Sequence, residues 1–204
     1  MKKYKTIYAD PAWQIGSIEL DKWQSPLSDK YITMTDEEIQ ALPIKDLADI
    51  DCGLFLWVTH TKLPVGLKLM ENWGFKYYCI ITWDKGNGWS QHGFHKRTEL
   101  LLFGYKGKIS NVINQEGNFI PTIITEKKSI HSRKPKRLYG LLLNNTAEPR
   151  IELFARQRID GFDVWGNEAP NHTQAVLSDS RLIAINRDSA ESPNLKSTKI
   201  LNFG

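Results

Sequence analysis

The stretch YADPAW, Tyr8 to Trp13, sets an acid, a proline, a small residue and a large aromatic side by side after an apolar run. That order suits chemistry on the exocyclic amine of a flat base. Such a nitrogen shares its lone pair with the ring and is a poor nucleophile. Two acceptors on its two hydrogens push electron density back onto nitrogen. The Asp10 carboxylate is one acceptor. The Pro11 carbonyl is the other, held by a residue whose φ is fixed near −65°. Trp13 can stack on the base, an interaction of roughly 1–3 kcal/mol. Taken alone, the four letters DPAW equally fit an acid capping a helix and a tryptophan filling core.

The surrounding elements decide where these groups stand. Residues 4–9 read as a buried strand ending at Asp10. Residues 16–34 read as a loop. Thr35 and Glu38 form a capping box, so a helix starts there with Ile39 and Leu42 inward, and Pro43 ends it. CGLFLWVTH (52–60) has the length and continuous apolarity of a central strand. Leu63, Leu67 and Met70 mark the inner face of a helix stopped by Gly74. FKYYCIITWDK (75–85), ELLLFGYKG (99–107) and RIELFAR (150–156) read as strands, and GFDVWGNE (161–168) as a short one. Residues 108–131 show no clear period. Pro135 opens a helix through KRLYGLLLNN. Strands alternating with helices predict a mostly parallel sheet with helices on both faces. Ligands of such sheets bind at the carboxyl ends of the strands. Asp10, Thr59, Trp83 to Lys85 and Arg156 all fall at predicted strand ends, on one rim.

Composition bounds the rest. At 204 residues and 41% hydrophobic content, the chain suits one globular domain, residues 1–170, with a polar C-terminal extension, 171–204. No apolar run approaches membrane-spanning length, and MKKYKTIYADPAW lacks the apolar core of a signal segment. Cys52 and Cys79, far apart in strand-like runs, read as reduced core thiols, and the expected location is cytoplasmic. No Cys/His cluster has zinc spacing, so no metal is expected. A net charge of +4 is compatible with a nucleic-acid partner. So are seven tryptophans, although tryptophan also fills cores.

YADPAW resembles the catalytic tetrapeptide of amino-methyltransferases, [DNS]-P-P-[YFW]. The chain as a whole is similar to the DPPW branch typified by the catalytic subunit of the mRNA N6-adenosine methyltransferase, the MT-A70-like family. Seven further segments carry the resemblance in the family's order: YITMTDEEIQALPI, GLFLWVT, the helix ending in WGF, ITWDK, RTELLLFGYKGK, SRKPKRLYGLL and RIELFARQRIDGFDVWGNE. The implied fold is a Rossmann-like, S-adenosylmethionine-dependent methyltransferase whose catalytic half precedes its cofactor half. The implied reaction is methyl transfer from S-adenosylmethionine to an adenine N6 amine.

By this resemblance Asp10, Pro11, Ala12 and Trp13 form the catalytic turn, and Asp10 also meets the cofactor's ammonium. Lys134, just before a helix N-terminus with its unpaired N–H groups, suits the cofactor's carboxylate. Arg156 and Arg158 fall at cofactor-contacting positions. Asn167 and Glu168 match the pair holding the ribose hydroxyls, and an amide beside a carboxylate is a sensible diol clamp. Glu99 matches an acid on the acceptor side, and Lys96 and Arg97 could contact phosphate. The basic stretch KKSIHSRKPKR, with Lys127, Lys128 and Arg133, would steer nucleic acid. The Gly- and His-rich stretch 83–97 is expected to be a mobile lid over the acceptor strand.

The chain departs from the family at Ala12, where the second proline stands, so the turn loses some stiffness while both acceptors remain. No residue is assigned to the cofactor's adenine. The chain shows no RNA-binding module and in this is similar to bacterial and phage relatives, which favours DNA over RNA. The alternatives are an RNA N6-adenosine methyltransferase, a non-catalytic nucleic-acid-binding subunit, and an enzyme acting on cytosine N4 or a small amine. Both homo- and hetero-oligomers are open.

Overall fold

The computed structural model describes residues 2–14, 33–114, 119–127 and 134–166. Among the described residues seven strands make one sheet: β1 (Tyr4–Ala9), β2 (Ala48–Val58), β3 (Lys76–Gln91), β4 (Phe94–Lys106), β5 (Ile123–Thr125), β6 (Arg150–Leu153) and β7 (Asp163–Trp165). Their order is β5-β3-β4-β2-β1-β6-β7. Only β4 runs against its neighbours, β2 and β3; every other pair is parallel. This is the expected mostly parallel α/β sheet of Rossmann-like character.

Helices cover both faces. Alternation along the central strands splits the apolar residues between two cores. Leu54, Leu56, Leu100 and Leu102 face α1 (Asp36–Gln40), α2 (Ile44–Leu47) and α3 (Leu63–Asn72), meeting Ile39, Leu47, Leu69 and Met70. Phe55, Trp57, Leu101 and Phe103 face α4 (Lys136–Asn145), meeting Leu138 and Leu142. Among the described residues no helix is long and apolar enough to cross a membrane. Cys52 and Cys79 are both free thiols.

Local chemistry explains most boundaries. At α1 the Glu38 N–H donates to the Thr35 hydroxyl at 3.2 Å, and the Thr35 N–H donates to Glu38 Oε2 at 2.7 Å. This is the expected capping box. Gly74, at φ +82°, ends α3 as expected.

Four expectations need correction. The buried stripe of α3 is Gly66, Leu69 and Met70, and Leu67 is 37% exposed. Gly66 sets that stripe: a Cβ there would stand 2.5 Å from Val58 Cγ1, so the helix lies close on β2. Residues 83–97 are not a loop. They continue β3 and β4 into a hairpin whose turn residues, His92 and Gly93, have φ +52° and +81°. Two consecutive positive φ values suit a two-residue hairpin turn, which matches the strand twist. The strand expected over 150–156 stops at Leu153, because Phe154 adopts φ +64° and Ala155 turns to bond Trp165. Finally, the aperiodic 108–131 stretch holds β5, too short to show a period. The extension 171–204 and most of the 16–34 loop lie outside the described residues.

Candidate active site

β1 delivers Asp10 to the carboxyl-end rim. Because β4 is antiparallel, its early residues reach that same rim: Leu100 pairs with Val58, and Glu99 with Trp83. Lys134 arrives there just ahead of α4. Its Nζ lies 3.0 Å from Asp10 Oδ1 and 2.9 Å from Glu99 Oε2. The second Glu99 oxygen is 3.1 Å from Lys85 Nζ. Four charges of alternating sign, from four segments of the chain, thus form one row. The ammonium of Lys134 also stands 4.6 Å above the centre of the Trp57 ring, a cation–π contact.

Beneath this row lies a buried polar floor. Tyr8 and Glu152 are paired residues of β1 and β6. Tyr139 donates to Glu152 Oε1 at 2.8 Å, Tyr8 and Tyr139 pack edge to face at 5.5 Å, and the Trp57 indole donates to the Tyr8 hydroxyl at 2.7 Å. Glu152 is only 5% exposed, and its Oε2 has no hydrogen-bond partner among the described residues.

Burial sets the proton affinities. It pushes the Asp10 carboxyl above its ordinary value, against the opposing pull of Lys134. It pulls Lys134 down, but Asp10 and Glu99 outweigh it, and the ammonium is held more firmly than in free lysine. It raises Glu99, but Lys134 and Lys85 overcome this and leave the acid below its usual range. Among the described residues no such cation acts on Glu152, and burial pushes it up to about 7, with the Tyr139 bond opposing and the Asp10 charge adding.

The turn after Asp10 is tied down without a second proline. The Trp13 N–H donates to the Pro11 carbonyl at 2.8 Å. Ala12 is fixed from outside: its carbonyl accepts from the Met34 N–H at 2.8 Å, and the Gln14 N–H donates back to Met34 at 3.0 Å. This bridge replaces the stiffness that alanine gives up. A carbonyl has two lone pairs, so Pro11 retains acceptor capacity.

Two site expectations change. Trp13 is 7% exposed, sits in the core, and donates its indole N–H to the Trp57 carbonyl at 2.9 Å. It props the turn and has little ring face left for a base. At α4 the N–H groups of Lys136 and Arg137 are taken by the Glu126 carboxylate at 2.8 and 3.1 Å. The anion-binding capacity expected at this helix start therefore rests on the Lys134 ammonium.

The remaining candidates are spread around the rim. Arg156 is exposed beyond β6, and its charge still favours the ionised form of Asp10. Arg158 is exposed two residues on. Arg97 on the hairpin donates from Nε and Nη2 to the two oxygens of Asp84, and Lys96 lies beside it. Lys127 is exposed, with its stem near Gly86. Glu99 stands inside the charged row. Lys128, Arg133, Asn167 and Glu168 lie outside the described residues. Trp57, Tyr139 and Glu152 were not singled out from sequence, and Lys85 only as one residue of a strand end on the rim. Their signals, a lysine in a strand and polar residues in apolar runs, acquire meaning only from pairing.

The donor set fits the amino-acid end of S-adenosylmethionine. Its ammonium and carboxylate complement Asp10 and Lys134, two opposite charges on one rim. Two buried groups without a hydrogen-bond partner among the described residues, Glu152 Oε2 and Trp165 Nε1, lie in β6 and β7, the half to which the resemblance assigns the cofactor.

Comparison with known proteins agrees with this geometry. The MT-A70 family pattern matches residues 4–168. The type II methyltransferase M.MunI of Mycoplasma sp is 32% identical over 188 residues, 84% of this chain and 80% of that protein. The human N(6)-adenosine-methyltransferase catalytic subunit METTL3 is 32% identical over 163 residues, 76% of this chain and 26% of that protein. The Drosophila melanogaster MT-A70-like protein is 31% identical over 163 residues, with 24% of its length covered. The chain thus spans about a quarter of these two longer relatives. With nearly the whole described region matched, the chain belongs to the MT-A70 family of methyltransferases.

Proposed function

We propose that the protein transfers a methyl group from S-adenosylmethionine to the N6 amine of adenine in DNA, in the cytoplasm. Residues 1–170 act as the catalytic domain, and 171–204 are an extension to it. The observation that carries this reading is the contact of Lys134 with both Asp10 and Glu99 at the end of β1.

The cofactor supplies an electrophilic methyl carbon on a positive sulfur. Asp10 and the Pro11 carbonyl accept the two amine hydrogens and turn the nitrogen lone pair outward. Lys134 holds the cofactor's carboxylate, and Asp10 meets its ammonium. Glu99 and Lys85 fix Lys134 in place. Asn167 and Glu168 take the ribose, with Arg156 and Arg158 at the flank. Lys96, Arg97, Lys127, Lys128 and Arg133 meet phosphates. With that sulfonium as leaving group, no strong base would be needed at Asp10 beforehand. Positioning and electrostatics supply most of the acceleration. The amine proton leaves afterwards, to Asp10 or to water, and burial favours Asp10 as acceptor by raising its proton affinity.

Likeness to a type II methyltransferase supports DNA over RNA. The type II methyltransferase M.MunI is matched over 84% of this chain and METTL3 over 76%, and the reading of DNA rests on the likeness to the former. The test is incubation with labelled cofactor and mixed DNA and RNA pools, then digestion to nucleosides and mass spectrometry. N6-methyldeoxyadenosine is expected. Label in RNA alone would overturn the choice of DNA, and N4-methylcytosine the choice of base. Cofactor binding without transfer would make the chain a non-catalytic subunit.

A further inference from the structure

The β3–β4 hairpin continues past the active-site rim as a two-stranded arm. Its turn-side end, Phe94, stands five residues before Glu99 on β4, roughly 16 Å away at about 3.3 Å per residue. The arm is anchored at its base. Arg97 donates from Nε to Asp84 Oδ1 at 2.7 Å and from Nη2 to Oδ2, and the Gly86 N–H donates to Asp84 Oδ1 at 2.9 Å. Between Asp84 and Trp89 the register shifts, so β3 carries extra residues where the arm leaves the sheet. A bulge there bends the arm. Gly88 is needed in that bend: a Cβ would stand 2.4 Å from the Lys96 carbonyl oxygen.

The chemistry of the arm points to a polyanion. Residues 86–97, GNGWSQHGFHKR, hold Lys96, Arg97, His92 and His95 and no acid. Phe94, beside the turn, is 73% exposed. Alternation places His95 and Arg97 on the face of Glu99, and Phe94 and Lys96 on the other; with the Arg97 charge met by Asp84, Lys96 sets a cation on the same face as Phe94. A two-stranded ribbon is one of the few elements the DNA major groove admits.

We propose that this arm opens the DNA duplex, with Phe94 entering the base stack at the position the target adenine vacates. The proposal rests on the reading of the protein as a DNA adenine methyltransferase. An adenine inside a duplex cannot bring its amine to Asp10 at the strand ends; it must be turned out, at a cost of a few kcal/mol. An aromatic in the gap restores stacking of roughly 1–3 kcal/mol per base. An apolar side chain wedged between base steps is an established device of duplex-bending proteins. Trp13, propping the turn from the core, is not placed to do this, whereas Phe94 is exposed on an anchored arm.

The test compares labelled methyl transfer to one DNA in native duplex form and after heat denaturation, using wild type, Phe94→Ala and Phe94→Trp. Phe94→Ala should lose about tenfold or more in kcat/KM on duplex and stay within about twofold on single strands. Phe94→Trp should restore duplex activity. Equal loss on both forms, or no loss, overturns the proposal. Wild type acting on single strands alone overturns it too, while leaving methyl transfer standing. Wild type acting on neither form ends the DNA reading itself. A change in oligomeric mass for Phe94→Ala with an unaltered duplex-to-single-strand ratio would instead assign the arm to a protein interface.

Discussion

The Lys134 ammonium sits between two carboxylates, 3.0 Å from Asp10 and 2.9 Å from Glu99. The three residues come from the end of β1, the start of α4 and the antiparallel β4. One cation therefore joins the turn after β1 to the segments that flank it. Its side chain is 14% exposed, so the pairing is screened little by water.

Removing that cation should cost stability as well as affinity. Lys134→Met leaves two acids facing each other in a half-buried site. It should destabilise the fold by about 3 kcal/mol, the lower end for a broken buried pair. Glu99→Gln in the same chain should recover part of the loss. Denaturant melts of the two single variants and the double variant check this, and additive losses would refute the coupling. Lys134→Met should also weaken cofactor binding about tenfold or more by calorimetry.

Glu152 makes stability pH-dependent. Its pKa is raised from 4.5 to about 7 on folding, so the native state holds the proton more tightly. A raised acid stabilises below the unfolded value, and that contribution is lost as pH rises towards the folded one. The difference of about 2.5 in pKa corresponds to about 3 kcal/mol. Glu152→Gln keeps an acceptor for Tyr139 and cannot ionise. Wild type should lose stability between pH 5 and 7.5 relative to this variant. Parallel curves across that window would contradict the assignment.

Trp13 separates stacking from support. Trp13→Phe keeps an aromatic ring but removes the N–H that bonds the Trp57 carbonyl. If support is its role, the variant should melt lower by about 1 kcal/mol and turn over more slowly. Unchanged melting and turnover would mean that the ring alone matters.

Gly66 tests the packing of α3. Gly66→Val would drive side-chain atoms into Val58 and Leu102 and should destabilise by about 1–3 kcal/mol. A thermal melt equal to wild type would show that α3 can shift away without loss.

Much of the fold was legible because buried strands write themselves as apolar runs. Residues 52–60 and 99–107 were read from apolarity alone, and the Thr35–Glu38 box from side-chain chemistry. Asp10 and Lys134 were found by motif and now share a contact. Strand direction is not written in a run of leucines. The link from Glu99 to Lys134 depends on β4 running backwards, and was therefore not visible. Leu67 has the right type at nearly the right spacing, but Gly66 turns the helix face past it. The arm was hidden because its glycines signal loops, although here they serve a tight turn and a close backbone approach. Glu126 gave no local sign that it would take the N–H groups of α4, since it closes across ten residues.

The most direct measurement pairs cofactor titration with turnover in Asp10→Ala. Lys134 keeps Glu99 as a partner in this variant, so the cofactor's carboxylate contact survives. The account predicts that methyl transfer to adenine is abolished, while calorimetric affinity for S-adenosylmethionine stays within about tenfold of wild type, about 1.4 kcal/mol. Full activity alongside normal cofactor binding would contradict it.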